Sequence, residues 1–218
     1  MASPGWSPRA LEFFAGLEAD NSRAYWQAHR AVYDAEVRAP LDALLAELEP
    51  EFGPGKVFRP ARDVRFSRDK APYKTHAAAV LPGPGGTAHY VQLSAAGLLV
   101  GGGCHDMARD QVARLREAVA DEASGEALVD LVSDLDDEGW TLGGEVLRTA
   151  PRGYPRDHPR VVLLRHTALW AGREHAPGPW LATAAARDRV VEGWRRLAPL
   201  QEWLARHVGG SRLPPARR

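Results

Sequence analysis

A chain of 218 residues with 28 Lys+Arg against 28 Asp+Glu, 44% hydrophobic and 26% charged, has the composition of an ordinary soluble globular protein. Its single cysteine excludes an internal disulfide, and no apolar run approaches the ~20 residues of a membrane helix. The start, Met1-Ala2-Ser3-Pro4-Gly5, lacks the basic and apolar regions of a signal peptide, so a cytoplasmic location is expected; zero net charge argues against a nonspecific nucleic-acid or membrane binder.

Ser7-Pro8 predicts the start of a first helix, with Ser as cap, Pro at the first helical position, and a stripe of Leu11, Phe14 and Leu17. Residues 1–6 ahead of it are expected to be disordered. Asn21 is the candidate cap of a second helix, whose Trp26, His29, Tyr33 and Val37 share one face. Pro40 is expected to interrupt it, and a third helix with Leu41, Leu44, Leu45 and Leu48 is expected to stop at Pro50. Residues 57–58, 64–66, 77–81, 89–93 and 98–100 are short apolar or alternating stretches between Gly, Pro and Ala turns. Their links are too short for helical crossovers, which predicts antiparallel strands. Asp106 is the candidate cap of a helix burying Ala108, Val112, Leu115 and Val119, and a further helix carries Leu128, Leu131, Val132 and Leu135. Residues 140–147 and 160–165 read as strands. A long final helix shows Val190, Trp194, Leu197 and Leu204 on one side, with a kink expected near Pro199. Residues 209–218 read as a disordered basic tail. The expected fold class is α+β: one domain over 7–208, with a mostly antiparallel sheet flanked by N-terminal and C-terminal helices.

Charge is neutral only on average. From Lys56 to Lys74 stand seven basic residues and two acidic ones, whereas Asp121 to Glu138 holds eight acidic residues and no basic ones. The acidic block suits a solvated helix face. All three lysines of the chain, Lys56, Lys70 and Lys74, fall in the basic run, against 25 arginines spread elsewhere and within it. A compact ammonium that can lose its proton differs chemically from a guanidinium.

The densest chemistry is R-D-V-R-F-S-R-D-K-A-P-Y-K-T at residues 62–75. On a strand over 62–67, Asp63, Arg65 and Ser67 face one way while Arg62, Val64 and Phe66 face the other. An Arg and an Asp two residues apart on one face can pair, fixing the guanidinium fork for an anion. Pro72 pushes Ala71 away from helical angles, so a loop follows, over which Lys70, Tyr73 and Lys74 can converge. Arg62, Asp63, Arg65, Ser67, Lys74 and Thr75 are therefore the candidate ligand-binding residues, and whichever of Arg62 and Arg65 faces the cleft would hold the anion. In a catalytic version, Lys70, with its pKa lowered by neighbouring cations, is base or nucleophile, with Asp69 or Tyr73 as proton partner.

This run is joined by N-S-R-A-Y-W-Q-A-H-R-A-V-Y at 21–33, Y-V-Q-L-S-A-A-G-L-L-V-G-G-G at 90–103, and P-R-G-Y at 151–154. Together they resemble the uncharacterised bacterial and fungal family known as domain of unknown function 2461, over roughly residues 8–206. The resemblance implies a shared fold and site and brings no established activity.

Other chemistries fit less well. Ser67 and Lys70 match the S-x-x-K of penicillin-recognising enzymes, but Pro72 opposes the helix that motif opens. Gly101, Gly102 and Gly103 follow a strand and precede a helix. Their N–H groups can cradle an anion, which adds Gly102 and Gly103 to the candidate ligand residues, although a tight turn explains them equally well. The dispersed histidines and lone Cys104 show no metal-ligand spacing, so no metal is expected and no cofactor is indicated. The expected function is binding of a small phosphate- or carboxylate-bearing ligand in a basic cleft, with catalysis and oligomeric state left open. The alternative is an adaptor module that docks an acidic partner or nucleic-acid phosphates through the same surface.

Overall fold

Helices α1 (Pro8–Ala19), α2 (Arg23–Val32) and α3 (Ala39–Phe52) form where the apolar spacing places them. They belong to a computed structural model that describes residues 5–63, 65 and 70–214. Pro8 opens α1, but the Ser7 hydroxyl donates to Glu36 Oε2 at 2.7 Å instead of capping the helix. The cap of α2 is Ser22, which accepts from the Tyr25 N–H, one residue beyond the expected Asn21. Nor does Pro40 interrupt the chain of turns. Tyr33–Arg38 is π-helical, the Ala39 N–H reaches back to the Asp34 carbonyl, and the helix runs on into α3. The wider turn accommodates a ring that an α-helix interior would press against the carbonyl four residues earlier. Pro50 lies in the last turn of α3, which ends at Gly53 with a φ of 81° that glycine adopts without a Cβ clash.

Strands β1 (Lys56–Val57), β2 (His76–Pro82), β3 (Ala88–Ser94), β4 (Gly97–Cys104), β5 (Thr141–Gly143) and β6 (Leu169–His175) form one antiparallel sheet in the order β1-β2-β3-β4-β6-β5. Lys56 pairs with Val80 and Val57 with Ala79, while Gly143 pairs with Trp170. Along β3, buried His89, Val91 and Leu93 alternate with half-buried residues, as a period of two requires. The fold class is α+β.

Two expected strands are absent where their residues are described. Residues 160–165 contain a short helix, α6 (Val161–Leu164), with Leu163 and Leu164 buried and Val162 62% exposed. So short an apolar run does not distinguish the two periods. At 62–67, Arg62, Asp63 and Arg65 lie in no strand, and Val64, Phe66 and Ser67 lie outside the described residues. Asp63 Oδ1 accepts from the Arg65 N–H at 3.3 Å, a local side-chain bond that competes with a ladder. Helices α4 (Arg109–Ala120), α5 (Glu122–Asp137), α7 (Ala185–Arg196) and α8 (Ala198–His207) complete the fold, and Leu197 separates the last two just before Pro199.

By compactness the chain comprises two units. One is built from Met1–Leu81, Tyr90–Val100 and Glu174–Gly193. Its core is an aromatic cluster of Phe13, Phe14, Trp26 and Tyr33, joined by Leu41, Leu44 and Leu48 of α3. Trp6, expected in a disordered tail, is 1% exposed, and its Nε1–H donates to the Val37 carbonyl at 3.2 Å. An indole with its N–H satisfied gains more by burial than its short stretch of chain loses in entropy.

The other unit is built from Pro82–His89, Gly101–Arg173 and Trp194–Arg218. Leu115, Val119, Leu128, Leu164, Trp194 and Leu200 form its interior. Here too part of an expected tail is tied down. Gln111 Nε2 donates to the Gly209 carbonyl, the Arg114 guanidinium donates to the Gly210 carbonyl, and Asp110 accepts from the Ser211 hydroxyl and the Arg212 N–H. Among the described residues no helix is long and apolar enough to cross a membrane.

Candidate anion-binding site

Two backbone hydrogen bonds build the site. The Arg62 N–H donates to the Pro72 carbonyl and the Lys74 N–H to the Pro60 carbonyl, both at 2.9 Å, on either side of a bridge between Ala61 and Tyr73. Both prolines serve as acceptors in this ladder, the only role open to a residue without an N–H. In this register Arg62 lies opposite Pro72 and Lys74 opposite Pro60, so both side chains fall on one face, and the ladder leads directly into β2 at His76. Among the described residues, Arg62, Asp63, Lys74, Thr75 and His76 line the resulting concavity of about 460 Å³.

Asn21 ties this ladder to the helices. Its Nδ2 donates to the Tyr73 carbonyl at 3.0 Å, and its Oδ1 accepts from the Tyr73 N–H at 3.1 Å. The Tyr73 ring stacks on Trp26, with centroids 4.4 Å apart and planes 11° from parallel. Tyr73, expected as a proton partner, is held here by backbone and ring, and Asn21, expected as a helix cap, is its clamp.

Two sets of charges meet here, the Asp63–Arg65 pair and the basic side chains of Arg62, Lys74 and His76. Arg65 grips Asp63 through two bonds, Nε to Oδ1 at 2.9 Å and Nη2 to Oδ2 at 2.6 Å. The Arg65 guanidinium and then its backbone N–H hold the Asp63 carboxyl at about 2, so it stays ionised. The pair is exposed and adds little stability, but it offsets the concavity's carboxylate. Lys74 Nζ stands 4.9 Å from the centroid of the Phe58 ring. Burial lowers its pKa, and the nearby Arg59 lowers it further. Burial likewise lowers the pKa of His76, with Lys74 and Arg62 acting in the same sense. These groups resist one another's charge.

The other expected site residues are placed differently. Lys70 is exposed and is not among the lining residues. Ser67 and Asp69 lie outside the described residues. Gly102 and Gly103 belong to β4 and to the other unit, as strand residues rather than a loop. A Cβ on Gly102 would come 2.4 Å from Gln201 Nε2, and one on Gly103, at a φ of 135°, 2.6 Å from the Leu169 carbonyl oxygen. Close packing therefore accounts for both glycines. His29 stacks on Tyr25 with centroids 4.0 Å apart, and Cys104 is buried, its thiol pKa pushed up by that burial. Among the described residues there is no group of three or more His, Cys, Asp or Glu placed to hold a metal ion.

Sequence reasoning did not single out His76. Its signal is the spacing of two from Lys74 at the point where the ladder enters β2, which sets two titratable side chains on one face.

No curated protein and no solved structure matches the chain. The family model described as conserved hypothetical protein (DUF2461) matches residues 9–203. That match takes in α1 from its second residue, the Asn21 clamp, the cationic ladder and the first part of α8. The chain belongs to the DUF2461 family.

Proposed function

We propose that the concavity at Arg62, Lys74 and His76 binds a small ligand bearing a phosphate or carboxylate. The observation that carries this reading is that Arg62, Lys74 and His76 line one concavity, where burial first and cationic neighbours second lower the pKa values of Lys74 and His76. Each positive charge there raises the cost of the next, and a bound anion removes that cost. Arg62 supplies a planar fork, Lys74 a point charge, Thr75 a hydroxyl, and His76 a donor that gains its proton as the anion arrives. The catalytic roles expected for Lys70, Asp69 and Tyr73 pass in this reading to Lys74 and His76, a pair shifted toward neutrality from which a general base can be drawn. A cytoplasmic location, expected from the composition, is part of the same proposal.

The test is an NMR titration of His76 with inorganic phosphate and with citrate at fixed ionic strength. The expected result is a rise in the His76 pKa on saturation by one of them, with Arg62→Gln weakening that binding about tenfold, as loss of a charge-assisted hydrogen bond requires. A His76 that ignores both anions would refute the proposal. When the titration is repeated at several salt concentrations, binding that falls steeply with salt whichever anion is used would replace it with a docking surface for an acidic partner.

A further inference from the structure

A second concavity, of about 880 Å³, belongs to the unit that contains α4 and β5. One face of α4 brings Arg109, Val112 and Arg116 to it, at positions i, i+3 and i+7. β6 brings Trp170, and the segment after β5 brings Gly144 and Glu145.

Trp170 is held as a rigid wall. It is the register partner of Gly143, and a Cβ on Gly143 would come 2.3 Å from the indole Cζ2. One face of the indole therefore lies directly on glycine backbone. Gly103 leaves equally little room on its side, where a Cβ would come 2.6 Å from Trp170 Cα. His105, which also lines the concavity, holds its ring 23° from parallel to the indole with centroids 6.3 Å apart. On the α4 side, Arg116 Nε donates to the Leu164 carbonyl at 3.3 Å, which orients its guanidinium.

We infer that this concavity is a separate binding site for a planar aromatic or heteroaromatic molecule that carries a phosphate or carboxylate. The ring stacks on the Trp170 wall, and the anionic group meets the guanidinium groups of Arg109 and Arg116. The volume lies in the range of small-molecule sites and exceeds what a bare anion fills. Asp106 and Glu145 share the lining. Their carboxylates repel a ligand of high negative charge and accept hydrogen bonds from amino or hydroxyl groups on the ring or its substituents. A single anionic group on a ring system with donors satisfies every polar residue named here.

Adenosine 5′-monophosphate and indole-3-acetate carry this chemistry with a phosphate and a carboxylate respectively; adenosine and inorganic phosphate are the halves of the first, indole and acetate those of the second. Calorimetry and tryptophan fluorescence measure their binding to the full chain. At least one complete probe is expected to bind at least about tenfold more tightly than either of its halves, and the one that does so identifies the anionic group. Arg109→Gln, a change at an exposed position, is expected to weaken that probe about tenfold. Trp170→Phe, which keeps a ring over Gly143, is expected to remove most of the fluorescence response. The inference is overturned if neither complete probe binds better than its halves. It is also overturned if Arg109→Gln and Arg116→Gln both leave binding unchanged, since the probe then sits elsewhere, the Arg62 concavity included.

Discussion

Replacing Asn21 with alanine removes both hydrogen bonds that hold the Tyr73 backbone, the 3.0 Å bond to its carbonyl and the 3.1 Å bond from its N–H. Each is worth ~0.5–1.5 kcal/mol net, and because Tyr73 is half-buried water replaces them only in part, so the pair amounts to ~2 kcal/mol. In a chain of this length each kcal/mol moves the melting temperature by about 2–4 °C, giving a fall of about 4–8 °C. The decisive assay is hydrogen exchange at the Tyr73 amide. If the clamp controls local opening, ~2 kcal/mol accelerates exchange there by roughly thirtyfold. Ser22→Ala is the matched control: it removes the cap bond to the Tyr25 N–H and costs ~1 kcal/mol, but touches nothing at Tyr73. Asn21→Ala is also expected to weaken phosphate binding, since Lys74 follows Tyr73 in the ladder. If Tyr73 exchanges no faster in Asn21→Ala than in Ser22→Ala, the clamp has no hold on the site and the reasoning fails.

Three further outcomes are expected. His76, His89 and His166 all have pKa values lowered chiefly by burial from the ordinary 6.5. The unfolded chain therefore binds more protons as the pH falls below 6.5, so stability present above that pH is lost on the way down through the folded values. Urea midpoints should decline between pH 7 and pH 5, less so in His76→Asn; a flat profile would contradict the burial of these rings. Trp6→Ala should cost ~3–5 kcal/mol in urea unfolding, against almost nothing if residues 1–6 were a free tail. Gly102→Ala should displace Gln201 from the Ala88 carbonyl and from His89 Nδ1, at a cost of ~1–2 kcal/mol, and leave the His76 response to phosphate intact. A lost response would return Gly102 to the ligand-binding residues.

Legibility in the sequence followed the range of the forces involved. The helices around Phe14, Leu44 and Leu115 and the alternating β3 were readable because one repeated side-chain spacing decides them. Residues 161–164 were not, since four apolar residues fit either period and the choice rests on which of them find a core. Asn21 illustrates a different limit. As a residue type it announces a cap, yet its partner is 52 positions away, and only the folded chain brings Tyr73 to it. The cationic character of 62–76 was legible from composition, but which groups lose solvent was not. Lys70 thus stands out in the sequence yet is exposed in the fold, while His76, unremarkable in the sequence, lines the concavity. Gly102 and Gly103 were ambiguous for the same reason, because a missing side chain serves a turn and a crowded strand alike.

The π-helical stretch Tyr33–Arg38 closes its turns one residue wider than an α-helix does, which makes it in effect an insertion carried inside a continuous rod. Deleting one residue there would let the rod wind normally. Pro40, now buried at the start of α3, would then meet the carbonyl four residues before it, at a cost of ~3 kcal/mol. The extra residue and the proline are thus a compensated pair. Shortening this helix by one residue is compatible with the fold only when Pro40 is replaced at the same time, so length and sequence at this point vary together or not at all.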